Sequence, residues 1–467
     1  MATRILRLFG LVAGLGLISC GGSRGPPLVP ASANQQQNVM VVDEGFDLSV
    51  AELQGRVAAA YTETCVDTSG SGAGPVGDAG VVSSGPAFDA LKRQLIAALS
   101  VPDDSCHLSV GISPKSDPLA SIAPYKTRWN AMVRANQQPN QVFTPTEIAA
   151  LQTALNSKEM QTFPYHGTAT SGTVAYDNPN VRLVLVERTL KSESDLQAQF
   201  TCLVQSEFDQ IVALLADSDV FKALVNQPVT VESELAAVAA RYNVGIVNQS
   251  FGSAARTTLE RLQTQSGCPA PINLSAYFAI LNKADLAHAA AAAGPALLAV
   301  QAAGNEDTEI DSGADSLECA IGDPLSLLVG SYDTSQVRST FSNFGACVDL
   351  YAPGESIIAP YAGDWLLWVD GTSFASPMVA RYLSLTAAMP FSPGPAKAAL
   401  LGQCASDGSL PLSLFPNAFF YLPNQAAGRF HAVAGLARLG PPNRFDVQRV
   451  LRPLSRWRAV RRQAGLR

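Results

Sequence analysis

The strongest constraint on the fold is a set of short apolar runs that do not alternate with polar residues and that stop abruptly. Asn38-Val39-Met40-Val41-Val42 ends in Asp43-Glu44-Gly45. Residues 181–186 form a second run, closed by Glu187. Residues 245–247 lead into Asn248-Gln249-Ser250-Phe251-Gly252, and residues 296–303 into Gly304-Asn305. Residues 325–330 and 347–352 are further runs. A strand with one solvated face alternates apolar and polar side chains, whereas a strand buried on both faces need not, which is the habit of parallel sheets. Helical stretches separate the runs, among them 87–100, 146–157, 232–242 and 276–293, the last with Ser275 placed to cap it and Gly294-Pro295 to stop it. The alternation predicts an α/β fold: a doubly wound, mostly parallel central sheet with helices on both faces. Open sheets of this kind gather their functional residues at the carboxyl ends of the strands, where Asp43 and Asn305 stand.

The most specific string in the chain is Asp370-Gly371-Thr372-Ser373-Phe374-Ala375-Ser376-Pro377-Met378-Val379-Ala380-Arg381. Small residues and a proline followed by an apolar stretch read as the start of a helix. Pro377 fits its first turn, where the missing N–H is not needed. Ser373 then sits where unpaired backbone N–H groups and the positive end of the helix dipole converge. A serine hydroxyl is a poor nucleophile at neutral pH and needs a base, which in turn needs an orienting group. Of the four histidines, only His166 stands among closely spaced glycines and small residues, in His-Gly-Thr-Ala-Thr-Ser-Gly-Thr-Val-Ala (166–175).

Together these strings resemble the motifs of the subtilisin-like serine proteases. Ser373 matches the nucleophile string. His166 matches the histidine motif, with Ala169 in place of its second histidine. Asp43 matches the aspartate motif, with Glu44 where a hydroxyl residue is usual. Asn305 matches the side-chain donor to the oxyanion. The chain order Asp43, His166, Asn305, Ser373 is also that of the family, and it differs from the orders of other serine hydrolases. The resemblance implies an endopeptidase acting through an Asp-His-Ser triad on a polypeptide substrate, with no cofactor required. Any structural calcium is left unassigned. It also implies that Ser250, Phe251 and Gly252, with Ala303 and Gly304 opposite, bind substrate backbone and wall the main specificity pocket. Two readings compete with it. One is a catalytically silent lipoprotein that uses the scaffold for binding. The other is an ester hydrolase, which would want a Gly-x-Ser-x-Gly string that Ser373 lacks.

Composition limits the partners and the compartment. With 47% apolar and 15% charged residues, a large core is easily built, and a net charge of −7 argues against nucleic acid as a partner. Residues 1–20 carry Arg4 and Arg7 ahead of an apolar stretch that ends Ser19-Cys20-Gly21. The stretch is short for a bilayer span and resembles a bacterial lipoprotein signal, with Cys20 as the lipidated residue. An ordinary signal peptide cut nearby is the other reading, and either implies export. The lipidated form implies a membrane anchor in the cell envelope, and Gly21 points to the outer membrane. Setting Cys20 aside leaves seven cysteines. Export favours disulfides, and chain order suggests Cys65–Cys106, Cys202–Cys268 and Cys319–Cys347, with Cys404 unpaired. No C-x-x-C spacing is present, so zinc is not expected.

The remaining segments divide the chain. Residues 21–37 read as a flexible tether, which leaves no room for an N-terminal pro-domain, and 38–440 as the peptidase domain. Within it, about 48–160 reads as an insertion between the Asp and His motifs, either surface decoration or a lid over the catalytic face. Residues 428–439 resemble the closing helix of the domain. The arginine-rich 441–467 reads as a solvated tail or, less favoured, as a basic amphipathic helix lying on an anionic membrane.

Overall fold

The computed structural model describes residues 37–65, 84–102, 106–161, 163–188, 202–251, 255–268, 272–291, 296–311, 319, 322–386, 390–415, 454 and 456–460. The signal segment with Cys20, the tether up to residue 36, Gly252, Gly294-Pro295, residues 428–439 and the rest of the 441–467 tail lie outside them.

Eight strands form one sheet: β1 (Gln37–Asp43), β2 (Val57–Cys65), β3 (Cys106–Val110), β4 (Val181–Arg188), β5 (Val244–Gln249), β6 (Leu298–Ala302), β7 (Ser326–Tyr332) and β8 (Leu350–Pro353), in the spatial order β3-β2-β4-β1-β5-β6-β7-β8. Every pairing is parallel except β2 with β3 at the edge. The unbroken apolar runs have the expected cause. Val39 and Val41 enter one core with Leu183 and Leu185, while Met40 and Val42 enter another with Val184 and Val186 on the opposite face. Successive side chains of one strand thus meet two different apolar layers, so no position is left for a polar residue.

The first layer contains two helices, His166–Ala175 and Thr372–Thr386, which pack on each other and on the sheet. We call them the histidine helix and the serine helix. The opposite layer is built on the helix Thr230–Arg241. A two-stranded hairpin, β9 (Ile357–Tyr361) with β10 (Trp365–Val369), delivers the chain to the serine helix. In the sheet order β1 lies between β4 and β5, so the strand order reverses around the end of β1. That is the topological switch point of a doubly wound sheet.

Several sequence expectations need correction. The segment at about 48–160 is not wholly an insertion: β2, rich in Ala and Thr, is a full member of the central sheet beside β4. The helices of this segment do lie outside the sheet. One of them, Lys126–Arg134, packs on β10, with Trp129 Nε1 donating to Leu366 O at 2.7 Å. Ser275 is the first residue of its helix rather than the cap, and its N–H is taken by Asn273 Oδ1 at 3.0 Å. The three suggested disulfides are present, but Cys404 is not a free thiol.

The tail reading also changes. A second apolar core gathers Leu91 and Leu95 from the helix Pro86–Leu99, Phe208 from Gln205–Leu215, Tyr277 from Ser275–Ala291, and Trp457 with Val460 from near the chain's end. Trp457 is fully buried. Two nearby arginines, both half-buried, bond to the protein. Arg458 pairs with buried Glu207 at 2.6 Å and donates to Cys202 O at 3.1 Å, and Arg456 donates to Ala98 O. Residues 454 and 456–460 are therefore a structural part of the fold.

Candidate active site

Asp43 closes β1, and its side chain is buried at the carboxyl edge of the sheet. Its Oδ1 lies 2.7 Å from His166 Nδ1, and its Oδ2 accepts from Thr170 Oγ1 at 2.8 Å. Thr170 lies one helical turn beyond His166, on the same face, so a single helix supplies both partners of the carboxylate. The Glu44 backbone N–H also donates to Asp43 Oδ1, at 2.7 Å. Three donors thus fix the carboxylate.

The histidine helix is docked by its own N-terminus. The N–H groups of His166, Gly167 and Thr168 would have no partner inside the helix. They donate to the carbonyls of Phe163, Glu44 and Gly45 at 3.0, 2.6 and 3.0 Å. Gly45 makes this approach possible, since it has φ +65° and a Cβ there would stand 1.7 Å from the Pro164 carbonyl oxygen. Farther along, Gly172 lies against Pro360 of β9, where a Cβ would meet the ring at 2.0 Å.

Burial pulls the His166 pKa down, but the Asp43 charge, the Asp43 hydrogen bond and the Glu44 charge outweigh it. The imidazole is held above its ordinary value. Glu44 thus has an effect that its odd place in the motif did not reveal.

Ser373 is the second residue of the serine helix and is largely buried. The ring of Phe374, its neighbour in the chain, packs against the His166 ring with centroids 5.7 Å apart. Pro377 is the sixth residue of the helix and not in its first turn. The amide it lacks is the one that would bond the Ser373 carbonyl, so the proline leaves that carbonyl outside the helical ladder.

Asn305 follows β6 and reaches the start of the serine helix. Its Oδ1 accepts from Thr372 N at 2.8 Å and from Thr372 Oγ1 at 3.0 Å. With the oxygen so committed, the carboxamide's N–H₂ is its group for donating elsewhere. Thr372 also accepts from Gly304 N at 3.1 Å, which locks β6, Asn305 and the serine helix together.

The expected substrate-binding residues flank this centre. Ser250 is buried, and its hydroxyl is spent on Asn248 Nδ2 at 2.8 Å and Ser376 Oγ at 3.2 Å, so it offers backbone rather than side chain. Phe251 is half-buried beneath the Arg188 guanidinium, 5.8 Å from its ring centroid. Arg188 is itself paired with buried Glu63 at the end of β2. Opposite, Ala303 and Gly304 are held by Asn343, whose Nδ2 donates to Ala303 O at 2.8 Å and whose N–H donates to Gly304 O at 3.1 Å. Gly304 has φ +99°, and a Cβ there would lie 2.3 Å from Asn343 Nδ2.

Sequence reasoning missed Thr170, Thr372 and Asn343. Thr170 could have been found, because it stands four residues after His166. Asn343 is distant in sequence and has no local pattern.

Arg381 lies farther along the serine helix. It is 2% exposed and donates through Nε to Tyr176 O at 2.5 Å, at the end of the histidine helix. Asn178 Nδ2 bonds Ser384 Oγ at 2.7 Å beside it. The two helices are therefore fastened at the ends away from the site as well as near it.

The chain is similar to known proteins. The sequence profile described as the subtilase family matches residues 34–401. An alkaline serine protease, ver112, of Corniculantispora psalliotae is 36% identical over 104 residues, which is 22% of this chain and 25% of that protein. Subtilisin-like protease 3 of Saccharomyces cerevisiae is 44% identical over 85 residues, 18% of this chain and 17% of that one. The chain thus matches a quarter or less of the length of these relatives. A crystal structure described as a cold adapted subtilisin-like serine proteinase aligns over 87% of this chain and 97% of that one, at 17% identity and a TM-score of 0.34.

Proposed function

The chain belongs to the subtilase family, and from that premise we propose that it is a serine endopeptidase working through Asp43, His166 and Ser373. The observation that carries the proposal is the buried 2.7 Å contact between Asp43 and His166, on a helix packed against the one that Ser373 heads. In this reading Asp43 keeps the Nδ1 proton on His166 and leaves Nε2 to act as base. Ser373 Oγ attacks the peptide carbonyl while its proton passes to His166. The oxyanion takes hydrogen bonds from the Asn305 carboxamide and the Ser373 backbone N–H. His166 then protonates the leaving amine, and water activated by the same imidazole hydrolyses the acyl-enzyme.

Residues 250–252 and 303–304 hold the extended substrate on either side by main-chain bonds. Export belongs to the same proposal.

The direct test is labelling of the folded protein by a fluorophosphonate. The expected result is one labelled site, lost in Ser373→Ala. A folded wild type that takes no label would favour a silent binding protein instead.

A further inference from the structure

The loop before the histidine helix contains a residue that the chemistry above does not use. Phe163 has φ +46°, a left-handed backbone conformation. For a bulky side chain this is an outlier that persists only where the surroundings enforce it. Here they do. The Phe163 N–H donates to Met160 O at 3.0 Å, and its carbonyl accepts the His166 N–H at 3.0 Å. The side chain is 1% exposed. Its ring meets the His166 ring edge-on, with centroids 5.9 Å apart and planes at 77°. The same ring lies 5.0 Å from Tyr361 of β9 and 6.5 Å from Phe374, next to Ser373. Because Phe374 also touches His166, the three rings of Phe163, His166 and Phe374 are in mutual contact.

We propose that Phe163 is a positioning residue for His166, wedging the imidazole against Phe374 and keeping water from that face. The inference rests on His166 being the base, and it adds what sets the base's place relative to the nucleophile. The Asp43 bond fixes one ring nitrogen but still permits the ring to swing about that contact. Two aromatic contacts, one from the histidine's own loop and one from the serine helix, remove that freedom. The strained backbone at Phe163 is what directs its ring into the gap.

The groups facing the imidazole are few. From β1 and the turn after it come the charges of Asp43 and Glu44; from the serine helix comes the Phe374 ring. Behind Phe163, β9 supplies Tyr361, which burial keeps un-ionised. Opening the Phe163 side to water would therefore chiefly relieve the burial that disfavours imidazolium.

The experiment compares Phe163→Leu and Phe163→Ala with the unaltered protein, using a peptide amide substrate and thermal melts to confirm folding. With Ala, kcat should fall about tenfold or more while KM stays within about twofold, since a small displacement of a catalytic group is costly. The acid limb of kcat/KM should move up by about half a pH unit as the imidazolium gains water. Leu keeps bulk without the edge-on contact, so it should move both quantities in the same direction by less. It carries the test if the Ala protein does not fold. A folded Leu or Ala variant with unchanged kcat and an unmoved acid limb would overturn the proposal. Absence of fluorophosphonate labelling in the unaltered protein would overturn the catalytic reading itself, and this inference with it.

Discussion

Replacing Thr372 with Val tests how the oxyanion donor is held. Valine keeps the shape of the side chain and removes one oxygen. That oxygen donates to Asn305 Oδ1 at 3.0 Å and accepts from Gly304 N at 3.1 Å. Thr372 is fully buried, so water cannot replace either bond. A buried N–H left without a partner costs about 1–3 kcal/mol, and the second lost bond about 1 kcal/mol more. The expected destabilisation is about 2–4 kcal/mol, a fall of several degrees in Tm. Asn305 keeps the Thr372 backbone N–H at 2.8 Å, so its carboxamide is loosened rather than released. Complete loss of such a donor costs about 10²–10³ in kcat, a magnitude measured on subtilisin itself and not worked from this structure. Loosening should cost less, about tenfold, which is about 1.4 kcal/mol at the transition state. The assay is kcat on a peptide amide well below the Tm, with active enzyme counted by fluorophosphonate titration. Thr372→Ser should stay close to wild type because it keeps the hydroxyl. If Thr372→Val turned over at the wild-type rate while Asn305→Ala was slow, the hydroxyl would not be the anchor.

Other expected outcomes concern His166 and Trp457. His166 has a folded pKa above its ordinary 6.5. Activity needs the neutral ring, so kcat/KM should rise with pH through a midpoint above that value. The linked stability has the opposite dependence, being present in full below the ordinary pKa and lost as pH rises through the folded one. Asp43→Asn removes the charge that raises the pKa, so a pH–rate profile should show a lower midpoint and a much smaller rate; an unmoved midpoint would contradict the assigned cause. Trp457→Ala should cost about 3–5 kcal/mol by emptying the second core. Its kcat should be normal at temperatures where it is folded, and a wild-type melt would show that residues 454 and 456–460 do not contribute to that core.

The central sheet, and the strand-end places of Asp43 and Asn305, were legible because their causes are local. A strand buried on both faces must be continuously apolar, and a polar residue at its end then stands out, as Asp43 and Asn305 do. β2 escaped notice because Val57-Ala58-Ala59-Ala60-Tyr61-Thr62-Glu63-Thr64-Cys65 lies beside the sheet's edge and carries Thr and Glu. Its membership is decided by pairing with β4, which is not a local property. The tail misled through its charge. Its apolar residues do fall at helical spacing, but whether arginines meet water, lipid or protein depends on partners elsewhere, such as Glu207 and the Ala98 carbonyl. The left-handed backbone at Phe163 likewise has no sequence signature.

The second core also sets a timetable. Its pieces come from near residues 90, 210 and 277, and the last of them, Trp457, from close to the end of the chain. A ribosome releases the aspartate, histidine, asparagine and serine segments well before that tryptophan. The central sheet can therefore close early, but the helical body beside it must wait for nearly the whole polypeptide. Any truncation or premature stop after the serine helix would leave a protein with its chemistry encoded and this apolar cluster unfinished.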